Sequence, residues 1–250
     1  MSTFELVEFV PEDAVWHACR CKNPGKRPLK AVNAQVATTE PSGARAERTR
    51  TAILAAAEDL FARRGFASTR LEDVAEIVGM TRAALFYYYG DKQALFDAML
   101  ADTFGSLAIK LDEVLAKGGS ISEQIELGVE AWVDAIVARP AMARLIMRIV
   151  ADGPEFLKHG VFSDNNQIAM KYWALFEKGR ASGELKPLHD DPFHAASAVI
   201  GSTVFYVGAL AALVPHGHFE PLDEQQISAH KSETLHTTRR LLGIAERNKK

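Results

Sequence analysis

A chain of 250 residues, 48% apolar and 24% charged, is long enough for two compact domains and has the composition of a soluble globular protein. The formal net charge of −3 gives no overall bias toward nucleic acid, and two cysteines are too few for a disulfide scaffold. Charge is uneven, however: residues 1–19 carry four acids and no Lys or Arg, and residues 20–50 carry eight basic residues against two acids. Such a run suits phosphate contact and equally a solvated surface.

Residues 1–44 show no sustained periodicity, and Pro11, Pro24, Pro28 and Pro41 interrupt every candidate helix. A poorly ordered basic arm is predicted, with a short apolar turn around Phe9 to Trp16. Cys19 and Cys21 are too close for an unstrained disulfide. With His17 they lack the fourth ligand of a closed zinc site, so reduced thiols and a cytoplasmic location are expected. The acidic N-terminus has no apolar core of a signal peptide.

Helical spacing begins at Ala44 with Ile53, Ala56, Ala57, Leu60 and Phe61, and Gly65 ends that helix just after Arg63 and Arg64. Thr69 is expected as the next N-cap, with Glu72 completing a capping box. Leu71, Val74, Ala75 and Val78 form the buried face. Gly79 supplies a turn, Thr81 caps a third helix anchored by Leu85, and Asp91 caps a fourth that reaches Gly118-Gly119.

Beyond it the spacing predicts helices over residues 121–138, from Pro140, and over about 154–181 with a break near 163–166. Asp191-Pro192 opens a small-residue helix over 192–214, and a last helix covers about 223–246. Residues 195–214 carry no charge over the length of a membrane span. Their Ala, Ser, Gly and Thr content reads instead as a buried helix of a bundle, with no membrane contact. No β alternation or repeat is visible, so the fold class is all-α: an N-terminal three-helix helix-turn-helix domain and a larger helical bundle.

Residues 69–92, TRLEDVAEIVGMTRAALFYYYGDK, meet the physical needs of a helix-turn-helix. The second helix of such a motif enters a DNA major groove, so its outward positions near the start must be small or polar. Thr81, Arg82, Ala83 and Ala84 satisfy this. Arg82 can reach guanine or phosphate, and the alanine methyls can meet a thymine methyl. Phe86 and Tyr87 project one turn further along. Thr69 and Lys92 are placed to hold phosphates through hydroxyl, ammonium and helix N-terminal N–H groups. Tyr89 shares a face with Leu85 and is assigned to the core; Tyr88 fits either side.

Residues 47–107 resemble the N-terminal domain of the TetR family of bacterial transcriptional regulators, through AAAEDLFARRGF at 55–66 and STRLEDVAEIVGMTRAALFYYYGDKQALF at 68–96. The resemblance places DNA contacts at Thr69, Thr81, Arg82, Ala83, Ala84, Phe86, Tyr87 and Lys92. It departs from the family where Gly-Thr is usual at 83–84, Tyr at 86 and Phe at 89, which weakens the hydrogen bonds expected at 84 and 86.

The arm 1–44 is longer than the family usually needs; after it, the resemblance implies a DNA-binding domain 45–107 with its motif at about 70–89, and a ligand-binding and dimerisation domain 108–250. It also implies a homodimer on a palindromic operator of double-stranded DNA. The pairing face would be Ala195, Ala198, Val199, Gly201, Ser202, Phe205, Gly208, Leu235, Leu241 and Leu242. A small, apolar or amphipathic effector would sit among Trp132, Ile136, Met147, Tyr172, Trp173 and Phe176, and its binding would release the repressor from DNA.

An enzyme is not expected. Glu233-Thr-Leu-His236 is a lone E-x-x-H where a di-iron bundle needs two. Asp190, Asp191, His194, His216 and His218 lie at caps or in a Pro/Gly loop, and no cofactor or metal is predicted. The competing reading is a helical dimeric adaptor whose N-terminal heads bind protein rather than DNA.

Overall fold

Gly65 and Gly79 lay out the first part of the chain in the computed structural model, which describes residues 42–153, 161–214 and 219–245. Residues 1–41 of the arm, with Cys19 and Cys21, lie outside the described residues, as do His216 and His218; the arm's last three residues begin the first helix. Helix α1, Ser42–Ser68, buries Ile53, Ala57, Leu60 and Phe61. Gly65 (φ 77°, ψ 172°) interrupts it where the sequence predicts an end. Helices α2, Leu71–Val78, and α3, Arg82–Tyr88, meet at Gly79 in the left-handed region (φ 73°, ψ 34°). There the Gly79 and Met80 N–H groups donate to the carbonyls of Glu76 (3.1 Å) and Ala75 (2.9 Å), closing the end of α2.

Thr81 caps α3, its hydroxyl accepting from the Ala84 N–H at 3.2 Å, and Asp91 caps α4, Lys92–Lys117, accepting from the Ala94 N–H at 2.7 Å. Thr69 departs from the expected cap. Arg70 takes that place without a side-chain bond. The Thr69 hydroxyl donates instead to the carbonyls of Gly65 (2.8 Å) and Leu60 (3.3 Å). The break at Gly65 leaves carbonyls at the end of α1 to be satisfied, and the Thr69 hydroxyl reaches two of them.

Helix α5, Ile121–Ala138, opens with a Ser120/Glu123 capping box, and α6, Pro140–Asp152, with a proline in its first turn. Helix α7, Val161–Ser182, runs through 163–166 without the expected break. Helix α8, Phe193–Leu213, begins with the Asp191 carboxylate accepting from the Phe193 N–H at 2.9 Å. Its regular α geometry stops at Phe205, and residues Tyr206–Leu210 form one π turn that the sequence pattern does not reveal. Helix α9, Glu224–Leu242, is capped by Asp223 and ends at Gly243, short of residue 246. Among the described residues there is no strand.

Helix α1 packs on α4 and α6, α4 on α5 and α7, and α9 on α5 and α8. One apolar core runs from Ile53, Phe61, Leu85 and Phe96 through Leu107, Ile136 and Leu145 to Val204 and Val207 of α8. A second holds Ile121, Ile125, Phe176, Leu185, Leu242 and Ile244. Helix α8 does not fit its expected role as a buried helix. Only Thr203, Val204 and Val207 are buried, because its neighbours cover one side. Length and composition alone would let it pass for a membrane span.

Candidate nucleic-acid interface and ligand cavity

Leu85, fully buried, sets the orientation of α3, and everything outward follows from it. Arg82, Ala83 and Ala84 are exposed, Phe86 is 37% exposed and Tyr87 is 89% exposed. The Arg82 guanidinium rests 2.9 Å from Glu72 and 5.1 Å from the centre of the Phe86 ring. Tyr88 and Tyr89 both pack against the core, which resolves Tyr88. Burial raises the Tyr89 pKa; nearby Arg50 opposes the shift, and Asp102 and Glu47 add to it. Arg50 of the basic stretch is thus close to the end of α3.

Two residues expected at phosphates are turned inward. The Thr69 side chain is 1% exposed, so its hydroxyl does not reach the surface. The Lys92 ammonium donates to the carbonyls of Phe66 (2.8 Å) and Ala67 (3.2 Å), above the Phe66 ring. Both groups close the carbonyl end of α1 rather than face a ligand.

Polar links tie this head to the bundle. Arg139, between α5 and α6, donates from Nε to buried Glu58 of α1 at 2.6 Å and from Nη2 to Asp102 of α4 at 2.9 Å. Arg148 of α6 donates to the Arg63 carbonyl at 3.1 Å, beside the Gly65 break. Sequence reasoning missed these links because each joins residues far apart in the chain.

A cavity of about 410 Å³ lies among α4, α5, α7, α8 and α9. Trp132, Tyr172, Trp173 and Phe176 line it, with Leu107, Leu111, Gly128 and Ile168 among the others. Ile136 does not: it is fully buried in the core that reaches the head. Met147 does not either, because it faces α8, where a Cβ at Gly208 would stand 3.0 Å from its sulfur. Gly128 was missed. A Cβ there would lie 2.5 Å from the Tyr172 hydroxyl, so glycine is what admits the ring. Burial, with a smaller contribution from Asp112, pushes the Tyr172 pKa up to about 12.

The expected pairing residues divide between several surroundings. Ala195, Val199 and Leu242 line the cavity. Gly208 lies against Ala143 and Met147 of α6 within the chain. Ala198, Leu235 and Leu241 are half-buried, and Gly201, Ser202 and Phe205 are exposed. Ile200, not singled out from sequence, is exposed too, although it also borders the cavity. Tyr206 in the π turn stacks 4.0 Å from His230 of α9 and donates to the Gln226 carbonyl at 3.1 Å.

A short helix with small and aromatic outward residues, seated on a bundle with an open apolar cavity, is the arrangement a DNA-binding transcription regulator needs. Residues 53–99 match the family model for bacterial regulatory proteins of the tetR family. The chain is 32% identical over 158 residues to the HTH-type transcriptional regulator RutR of Escherichia coli O157:H7, covering 62% of this chain and 72% of that protein. It is 44% identical over 55 residues to the regulator TtgR of Pseudomonas putida, covering 22% and 26%. A TetR-family regulator from Marinobacter aquaeolei superposes with a TM-score of 0.62 at 20% identity, over 78% of this chain and 97% of that one. The chain belongs to the TetR family of transcription regulators. It is a regulator and not an enzyme.

Proposed function

We propose that this protein is a cytoplasmic repressor that binds a palindromic operator as a homodimer and is released by a small apolar or amphipathic effector. The observation that carries the reading is continuity. The core that fixes the exposed face of α3 also contains Leu107, which lines the cavity, and Val204 and Val207 of α8. An effector that favours one packing of these helices biases the separation of two reading heads, and operator affinity falls by the same coupling factor.

Within this reading residues 45–107 read DNA and 108–250 bind ligand and pair. Thr81, Arg82, Ala83, Ala84, Phe86 and Tyr87 carry the DNA contacts, and only the backbone of Thr69 and Lys92 remains for phosphates. Two-fold symmetry sets half-sites about 34–36 Å apart.

Nuclease protection of the DNA upstream of the protein's own gene tests this directly. A protected palindrome is expected, with affinity falling steeply as salt rises. Tyr87→Ala should lower specific affinity at least about tenfold with little change in melting temperature, because the ring is exposed and lies outside the core, edge-on to Tyr88. Wild-type affinity in that variant, or a salt-independent interaction, would overturn the assignment.

A further inference from the structure

Glu72 is expected from its spacing to close a capping box with Thr69, and the structure gives it a different partner. Arg70 takes the cap position, and the Glu72 carboxylate stands 2.9 Å from Nη1 of Arg82. That contact crosses the turn at Gly79, from the first turn of α2 to the first residue of α3. The same guanidinium lies 5.1 Å from the centre of the Phe86 ring, one helical turn along α3. Helix α3 reads RAALFYY, so two neighbours hold its one charged side chain before any DNA is bound.

We propose that Glu72 is a positioning residue for base recognition: it holds Arg82 so that the guanidinium reads a guanine in each half-site rather than a phosphate. The proposal rests on the reading of α3 as the helix that enters the major groove, and it adds what selects the Arg82 contact.

A long side chain at the start of a recognition helix has two targets within reach, the base edges and the phosphates beside them. Phosphate attracts a cation in almost any orientation, so a loose arginine adds affinity and little specificity. Guanine offers O6 and N7 side by side, and only a guanidinium presented edge-on meets both. Glu72 acts on both counts. It engages Nη1, and the edge formed by Nε and Nη2 can then present two parallel donors to a base. It also sets a negative charge beside the guanidinium. A phosphate that takes Arg82 must approach a carboxylate, whereas a base edge carries no net charge and meets no such repulsion. Specificity is the difference between those two affinities. Both side chains are exposed, where ion pairs hold weakly, so the effect is several-fold and not an on–off switch.

The test uses the full-length protein and two DNA probes. One is the duplex that it enriches from a random-sequence pool; the other is the same duplex with its base order scrambled. Affinities for both are measured at several salt concentrations for wild type, Glu72→Gln, Arg82→Ala and the double variant. These variants change only exposed positions, and their melting temperatures should stay close to wild type. Glu72→Gln should bind the scrambled duplex about three- to tenfold more tightly, with a salt slope steeper by about one per head, while its affinity for the enriched duplex changes little. The enriched-to-scrambled ratio should therefore fall about three- to tenfold. Enrichment repeated with Glu72→Gln should lose the guanine preference at one position in each half-site. In the Arg82→Ala background, Glu72→Gln should leave the ratio as it is, because Glu72 acts through Arg82. An unchanged ratio in Glu72→Gln, with Arg82→Ala weakening the enriched duplex, overturns the proposal and leaves Arg82 as a contact. Equal tightening on the scrambled duplex with and without Arg82 also overturns it, since Glu72 would then only repel phosphates. Failure of the underlying reading looks different: no sequence is enriched, or Arg82→Ala binds the enriched duplex as wild type does, and the proposal falls with it.

Discussion

The Lys92 ammonium sits 2.8 Å from one carbonyl and 3.2 Å from another at the end of α1, with the Phe66 ring 4.5 Å away. A cation so engaged contributes to the seam between α1 and α4 and has little left for a phosphate. Lys92→Met should therefore lower stability by about 1.5–3 kcal/mol, the range for a hydrogen bond to a charged group. The slope of operator affinity against salt should stay as in wild type, which denaturant melts and binding titrations at several salt concentrations check. A slope smaller by about one unit would restore the phosphate role. Tyr87 and Tyr89 were legible in the sequence because their spacing from Leu85 fixes which way each points. Thr69 and Lys92 were not, because their partners are backbone carbonyls freed by the Gly65 break, and no pattern of side chains announces a carbonyl.

Between elements, Arg139 joins Glu58 of α1 and Asp102 of α4. The Glu58 residue is 4% exposed; Arg139 holds its Oε2, and its Oε1 has no hydrogen-bond partner. Removing the guanidinium strands a carboxylate in the core, whereas removing both groups leaves an apolar gap of modest size. Arg139→Met should cost about 2–3 kcal/mol, below the full range for a broken buried pair because Arg139 is itself partly exposed. Glu58→Met combined with Arg139→Met should recover most of it in a double-mutant cycle of denaturant melts. Equal destabilisation in the single and double variants would show that the charge pair is not what holds α1 against the α5–α6 junction. Helix ends marked by Gly79, Thr81, Asp91 and Gly118 were readable, because a cap depends on one or two neighbouring residues. The π turn in α8 was not: its residues pack on α6 and Tyr206 stacks on His230 of α9, contacts between residues far apart in the chain.

For the whole molecule, the decisive surface is the outer side of α8. A helix apolar all round shows no preferred face, so the resemblance gave Ala195, Val199 and Gly208 to a partner although they face the cavity or α6. What remains outward includes Ile200 at 44% and Phe205 at 49% exposure, with Gly201 between them. On α9, Ser228, Ala229 and Ser232 are exposed and small enough for close helix approach. Exposed apolar side chains beside small residues on two adjacent packed helices are suited to pairing with a second copy. Ile200→Glu combined with Phe205→Glu should convert a dimer into a monomer by sedimentation, with the helical circular dichroism retained. Specific operator affinity should then fall at least about hundredfold, because each head alone reads one half-site and loses the effective concentration that its partner supplies. Nonspecific binding at low salt should persist, since phosphate contact belongs to each head separately. A doubly substituted protein that still sediments as a dimer would move the pairing face elsewhere, and the close approach of α8 to the cavity would then lose its proposed link to the spacing of the heads.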